Sequence, residues 1–234
     1  MASSNSKPQK IDFFFDIMCP WAYQTSLWVR EVRRLNGLHI NWRFFSLEEI
    51  NRPDGKKHPW ERALAYGWSP LRVAARLRRQ DMALCDAWYA ACGQALHTDG
   101  RKPHDPEIAR ELLIAIGAKA DDWDLALSDE TTNDDVKSDH FYASEKLAAF
   151  GVPILVFSPS EMQSEKTVFG PVVVPAPMGE DALALWDLTV AYTRINGLYE
   201  MKTPKTKTDL EFIGRVFTPY LQARDWQSIQ NPAP

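Results

Sequence analysis

An aromatic strand pattern that runs straight into a cysteine and a helix constrains the fold of this chain more than any other feature. Residues 11–17, IDFFFDI, form a short apolar run bounded by a turn signal, which is typical of a buried β-strand. The tetrapeptide MCPW follows at 18–21, and apolar residues then recur at helical spacing until Gly37. Residues 39–45, HINWRFF, alternate like a second strand. The chain therefore begins with a predicted strand–helix–strand unit, whose crossover should be right-handed.

The remainder of the chain is predicted to be a helical block followed by two strands and two helices. Helical segments are predicted at 59–66, 70–80, 84–97, 105–116, 121–128 and 133–149. Strands are predicted at 153–157 and 167–169, joined by a hairpin turn, and helices at 180–195 and 208–223. The order βαβ, helical block, ββα is that of an α/β thioredoxin-like core with a large all-helical insertion.

These predicted elements divide the chain into three parts. We expect a thioredoxin-like domain from 11–50 together with 150–200, an inserted helical domain at 51–149 and a C-terminal extension at 201–234. The extension is expected either to pack on the domain or to complete a homodimer.

Composition excludes several classes of function. The 234 residues carry a net charge of -4, which argues against a nucleic-acid partner because such partners bind basic surfaces. No apolar run approaches the ~18 residues that span a membrane, and Asp16 interrupts the first apolar run, unlike the core of a signal peptide. Three cysteines do not make a disulfide framework, and no metal-type spacing is present. We therefore expect a cytoplasmic protein that uses no metal.

Cys19 lies where a predicted strand ends and a helix begins. Cysteine reacts as the thiolate, and the positive end of a helix dipole and its unpaired N–H groups favour that anion. Pro20 suits the first helical position, where its missing N–H does no harm. The alternative is a buried cysteine that packs as a small hydrophobe.

A second feature, Pro153, bears on that choice. It heads the apolar strand in FGVPILVF, 150–157, and this predicts a cis peptide bond after Val152. The alternative is an edge strand opened by a trans proline. In a thioredoxin-like fold the cis-proline loop lies against the active-site cysteine, and the backbone before the proline offers hydrogen bonds to a bound thiol or peptide. The presence of both features, with Cys19 after the first strand and Pro153 at the head of a later one, favours a reactive cysteine.

Four segments carry a resemblance to a known family. They are DFFFDIMCPWAYQTSLW, HTDGRKPHDPEI, FGVPILVF and VFGPVVVPAPMGEDALALWDLTV. Together they resemble the DsbA-like thioredoxin-fold proteins of actinobacteria, of the mycothiol-dependent nitroreductase and disulfide oxidoreductase type, over roughly residues 11–207. The layout is more distantly similar to kappa-class glutathione transferases and 2-hydroxychromene-2-carboxylate isomerases.

The resemblance implies an enzyme that uses Cys19 with a low-molecular-weight thiol, mycothiol or a glutathione-like thiol, as co-substrate. The implied substrate is a small aromatic or electrophilic molecule, or a disulfide. Two alternatives stay open: a thiol-dependent isomerase or transferase without net redox change, and a non-enzymatic binding module.

One departure from the family pattern affects the expected chemistry. Redox-active members carry Cys-Pro-Trp-Cys, whereas the fourth residue here is Ala22. A second cysteine resolves the mixed disulfide in a dithiol site, and alanine cannot do so. Either a small thiol resolves Cys19 or no disulfide chemistry occurs. Cys85 and Cys92 lie about 10 Å apart along a predicted helix, too far to bridge each other. Both are interpreted as core residues, and the alternative is that one of them faces Cys19 from the insertion.

Other residues are candidates for contacts with the thiol or substrate. With Pro20, Val152 and Pro153, they are Trp21, Tyr23, Asn51 and His97. Core packing is the alternative for Trp21 and Tyr23, a turn role for Asn51 and a structural helix end for His97. The arginines of RVAARLRR are interpreted as a solvated face, and the alternative is that part of the cluster binds an acidic thiol cofactor or substrate. The seven carboxylates of 121–135 are interpreted as an exposed face.

Overall fold

The computed structural model describes residues 10–158 and 166–224. Its strands are β1 (Lys10–Phe15), β2 (His39–Phe44), β3 (Ile154–Phe157) and β4 (Lys166–Phe169). Its helices are α1 (Pro20–Asn36), α2 (Leu47–Ile50), α3 (Trp68–Gln80), α4 (Met82–His97), α5 (Pro106–Ala115), α6 (Asp122–Ser128), α7 (Thr131–Phe141), α8 (Gly179–Thr193) and α9 (Lys207–Ala223). A 3-10 turn spans Pro59–Glu61, and a π-helical turn spans Tyr142–Lys146. The predicted hairpin turn between β3 and β4 lies largely outside the described residues.

The four strands form one mixed sheet in the order β2-β1-β3-β4. β1 runs parallel to β2, as the connection through α1 requires, and antiparallel to β3, while β3 pairs antiparallel with β4. Helices α3–α7 lie between β2 and β3 in the chain. The predicted thioredoxin-like βαβ…ββα core with an all-helical insertion is therefore confirmed.

The core is continuous between the sheet and the helical insertion. Phe15 of β1 stacks on Tyr89 of α4 with ring centroids 3.9 Å apart, and Trp42 of β2 meets the same tyrosine ring at 5.3 Å. All three rings are fully buried. Burial of each such ring stabilises the fold by about 2–3 kcal/mol, so the insertion is fixed against the sheet.

Two of the predicted helices differ from the structure. The helix predicted at 59–66 is wrong beyond Glu61, because Arg62 is extended and its side chain bonds Glu48 and the carbonyl of Lys57. These tertiary contacts outweigh helix propensity. The helix predicted at 133–149 ends at Phe141, passes through the π-helical turn and gives way to irregular chain.

The interpretation of the α3 arginines as a solvated face is wrong for most of them. Arg72 is 6% exposed and donates to Thr132. Arg76 pairs with the buried Asp122 at 2.7 Å, which also removes that carboxylate from the predicted acidic surface. These pairs join α3 to α6 and α7, so they hold the insertion together.

The C-terminal extension packs on its own chain through α9. The buried residues of this helix are Phe217, Tyr220 and Ala223. Phe217 contacts Trp21 of α1, and Tyr220 contacts His97 of α4. The homodimer stays a prediction. Within 10–158 and 166–224 no helix is long and apolar enough to cross a membrane.

Candidate functional site

Cys19 is the N-cap of α1, as the strand–helix junction predicts. Its backbone is extended, with φ −90° and ψ 110°, and Pro20 takes the first helical position. The backbone N–H of Ala22 donates to Cys19 Sγ at 3.4 Å. The N–H of Cys19 donates in turn to the carbonyl of Asp16 at 3.1 Å, which fixes the turn that presents the sulfur.

The cis-proline loop faces this sulfur from the other side. The Val152–Pro153 peptide bond is cis, as predicted. Cys19 Sγ donates to the carbonyl oxygen of Val152 at 3.5 Å, and the carbonyl of Pro153 accepts the N–H of Gly170 at 2.9 Å. Two segments 133 residues apart in sequence are therefore joined at the cysteine.

The thiol is protonated in this conformation, because burial governs its ionisation. Cys19 is 5% exposed, and its burial raises the pKa of the thiol to about 12. The Ala22 N–H lowers this pKa and the nearby Asp16 carboxylate raises it further. The expectation that the helix N-terminus favours the anion is correct in direction, but desolvation outweighs it while the site is closed.

Asp16 is a site residue that the sequence reasoning missed. Its carboxyl is fully buried and accepts the N–H of Met18 at 2.8 Å and that of Leu47 at 2.6 Å. Burial raises the pKa of this carboxyl to about 7, and the Glu48 carboxylate raises it while the two N–H bonds lower it. A charged residue that interrupts an apolar strand just before the cysteine is the signal that could have identified it.

Replacing Asp16 by asparagine is expected to lower the pKa of the Cys19 thiol, because it removes a negative charge that opposes the thiolate. The rate of Cys19 modification by N-ethylmaleimide, measured from pH 6 to pH 10, should rise several-fold at the alkaline end. Asp12→Asn, four residues earlier on β1 and paired with Arg43 and Asn41, is the matched control and should leave the rate within about twofold. An unchanged profile in Asp16→Asn would contradict the charge effect.

Trp21 and Tyr23 follow Cys19 on α1, and His97 of α4 packs against Tyr23. Trp21 is half-buried, and Tyr23 stacks on His97 with ring centroids 5.0 Å apart. Tyr23 lies so close to Gly93 of α4 that a Cβ there would fall 2.3 Å from its ring. His97 Nε2 donates to the carbonyl of Ile17 at 2.8 Å, and burial lowers the pKa of its ring to about 4. His97 is thus neutral and supports the Cys19 turn.

Direct contact of these three residues with a ligand stays a prediction, and so does that of Asn51. Asn51 is exposed at the C-terminal end of α2, where its side-chain amide donates to the carbonyl of Leu47 at 2.8 Å. The N–H of Leu47 donates to the Asp16 carboxylate, so hydrogen bonds through Leu47 and Asp16 connect Asn51 to the turn that holds Cys19.

Cys85 and Cys92 are core residues, as interpreted from the sequence. Both are fully buried on α4, and burial raises the pKa of each thiol. All three cysteines are free, so Cys19 is not bridged to either.

The sheet order, the N-cap cysteine and the cis-proline loop define a DsbA-like thioredoxin-fold protein. The family model described as "Mycothiol-dependent nitroreductase Rv2466c" matches residues 18–203, and the chain belongs to this Rv2466c-like family. It is therefore an enzyme, which sets the binding-module alternative aside.

Two kinds of relative agree with this assignment. The chain is 50% identical over 221 residues to the Mycobacterium tuberculosis protein Rv2286c, and the match covers 94% of this chain and 92% of the relative. The cytosolic disulfide reductase DsbM from Pseudomonas aeruginosa has a similar fold, with a TM-score of 0.56 and 13% identity over 78% of this chain and 99% of that one. A 2-hydroxychromene-2-carboxylate isomerase matches with a TM-score of 0.55 and 14% identity over 78% and 94%. These two structures support the fold alone.

Proposed function

We propose that this protein is a thiol-dependent oxidoreductase in which Cys19 alone carries the covalent chemistry, with mycothiol as co-substrate. The observation that most supports this proposal is the position of Cys19 Sγ between the Ala22 N–H, at 3.4 Å, and the Val152 carbonyl, at 3.5 Å. The helix N-terminus stabilises a thiolate once the site opens. The Val152 carbonyl offers a hydrogen bond to a group on the incoming thiol. The proposal places the reaction in the cytoplasm.

The reaction runs in two exchange steps. Opening of the site lets the Cys19 thiol lose its proton, and the thiolate attacks one sulfur of a small mixed disulfide between the substrate and mycothiol. A bond forms between Cys19 and the mycothiol sulfur, and the substrate leaves as a thiolate that takes up a proton. A second mycothiol thiolate then attacks the mycothiol sulfur on Cys19. It releases the cysteine together with the disulfide of mycothiol, so two electrons pass from the thiols to the substrate.

The resolving thiol must come from solution under this proposal. Ala22 has no thiol, and Cys85 and Cys92 are fully buried with free, protonated side chains. The family description names mycothiol as the thiol on which its members depend.

An aromatic substrate is favoured by a ring pair at the cis-proline loop. Phe150 and Phe169 stack with centroids 4.8 Å apart and are 76% and 41% exposed. Phe150 lies two residues before Val152, and Phe169 pairs with Ile154 in the sheet. Exposed flat rings next to the cis-proline loop suit a planar aromatic group on the substrate.

A second candidate function is a thiol-dependent isomerase or transferase. The observation that favours it is Ala22 in place of a second cysteine, because reversible addition of a thiol to a conjugated substrate requires only one sulfur. The two candidates differ in electron balance, since only the first oxidises reduced thiol to a disulfide.

The test is a steady-state assay with reduced mycothiol and a mixed disulfide of mycothiol and a small aromatic thiol. The oxidoreductase should consume one equivalent of reduced mycothiol for each disulfide of mycothiol formed and each aromatic thiol released, with the parallel-line kinetics of a two-step exchange. Conversion of a conjugated substrate without formation of the disulfide of mycothiol would favour the isomerase or transferase, and no acceleration over the uncatalysed exchange would overturn the oxidoreductase.

A further inference from the structure

The helix α9 lies beyond the region that the family model matches, which ends at residue 203. It begins with a capping box, in which the Thr206 hydroxyl accepts the N–H of Asp209 and the Asp209 carboxylate accepts the N–H of Thr206. Residues 196–206, which join it to the sheet domain, are mostly exposed. The helix is therefore a separately capped element tethered by an exposed segment.

The inner face of α9 rests on residues that flank the cysteine on both sides. The ring of Phe217 meets Trp21 edge-on with centroids 4.8 Å apart, and Tyr220 meets His97 at 5.2 Å. Trp21 is two residues after Cys19. His97 holds the carbonyl of Ile17, two residues before it.

The fit between α9 and α4 is close but rests on few residues. Gly100, at the turn after α4, has φ +67°, and a Cβ there would lie 3.6 Å from the carbonyl of Pro219. Phe217, Tyr220 and Ala223 are the buried residues of α9, whereas Leu210 and Leu221 are 56% and 46% exposed. A helix held by so few buried contacts opens locally at much lower cost than the core.

We propose that α9 is a resident cap on the cysteine site and that Phe217, by holding Trp21, is its specificity-determining residue. The cap admits small thiols and small disulfides to Cys19 and excludes disulfides carried on proteins, which must bring a stretch of backbone to the cis-proline loop. This inference rests on the proposed function and narrows its substrate to small molecules.

The test compares access to Cys19 for two reagents with the same reactive group. N-ethylmaleimide is small, and a polyethylene-glycol maleimide is bulky, so the ratio of their rates reports size exclusion alone. Phe217→Ala in the full chain is expected to raise the bulky-to-small ratio at Cys19 about tenfold, since loss of a packed ring makes local opening easier. Phe212→Ala is the matched control, because Phe212 is on the same helix and 37% exposed, and it should leave the ratio within about twofold.

Equal ratios in the wild type and Phe217→Ala would overturn the cap. Cys85 and Cys92 report global unfolding, since both are fully buried and become labelled only when the core opens. If Cys85 and Cys92 become labelled in Phe217→Ala, Phe217→Leu is measured instead. In that variant the bulky-to-small ratio should rise by an intermediate amount at Cys19, with Cys85 and Cys92 unlabelled. An unchanged ratio in Phe217→Leu would also overturn the proposal that α9 is a cap. Labelling measures access to Cys19 and not turnover. Failure of mycothiol turnover would therefore overturn the proposed function without changing the size-dependent access to Cys19.

Discussion

Replacing Cys19 by serine is expected to lower mycothiol-dependent turnover by at least about a thousandfold, because a serine hydroxyl cannot form the mixed disulfide. The substitution is nearly isosteric, and the N-cap position accepts serine readily. The fold should therefore persist, so the loss reports chemistry. Turnover of the variant is measured with the same mixed disulfide, and its thermal unfolding is recorded alongside.

The matched control is Cys85→Ala, which removes a buried thiol that the proposed chemistry does not use. It should keep turnover within about threefold of the wild type while lowering stability modestly. If Cys19→Ser retained more than a tenth of the wild-type rate, the thiol of a cofactor rather than Cys19 would be the nucleophile.

Replacing Asp139 by asparagine is expected to lower the free energy of unfolding by about 3 kcal/mol. Asp139 lies on α7 and accepts Arg43 Nε of β2 at 2.6 Å, Arg78 Nη1 of α3 at 2.5 Å and the N–H of Phe44 at 3.1 Å. Its side chain is only 7% exposed. Asparagine leaves both guanidinium groups without their shared charge, at the place where two insertion helices meet the sheet. Urea denaturation measures the change.

Asp135→Asn is the control for Asp139→Asn, because it breaks an ion pair between the same two helices at the surface. Asp135 pairs with Arg79 at 2.6 Å, and the two side chains are 30% and 39% exposed. Solvent screening limits its contribution, so the loss should stay below about 1 kcal/mol. Equal losses in the two variants would show that Asp139 is no more than a surface partner.

The sequence predicts the features of this site that depend on local order. The aromatic run, Cys19 and Pro20 mark a strand end and a helix start, and Pro153 after Gly-Val marks the cis-proline strand. Each is encoded within a few residues, so turn and capping chemistry suffices to find it. Their sequence order then specifies the fold.

Features that depend on which distant segments meet could not be predicted in this way. The His97–Ile17 bond joins residues 80 positions apart, and Asp16 is buried because α2 supplies the N–H of Leu47. Sequence alone also identifies only the contribution of the helix end, which lowers the Cys19 pKa, and not the larger effect of desolvation, which raises it and comes from the whole surrounding fold. The α3 arginines resemble a solvated face until their partners on α6 and α7 are known.

Covalent exchange of Cys19 with a low-molecular-weight thiol is the step on which the proposed function depends. It is measured most directly as the intact mass of the folded protein after exposure to the disulfide of mycothiol, with peptide mapping of the adduct. We expect one mycothiol per chain, located on Cys19 and removed by reduced mycothiol, with Cys85 and Cys92 unmodified. A folded chain that gains no adduct at Cys19, while the unfolded chain gains adducts at its cysteines, would contradict it.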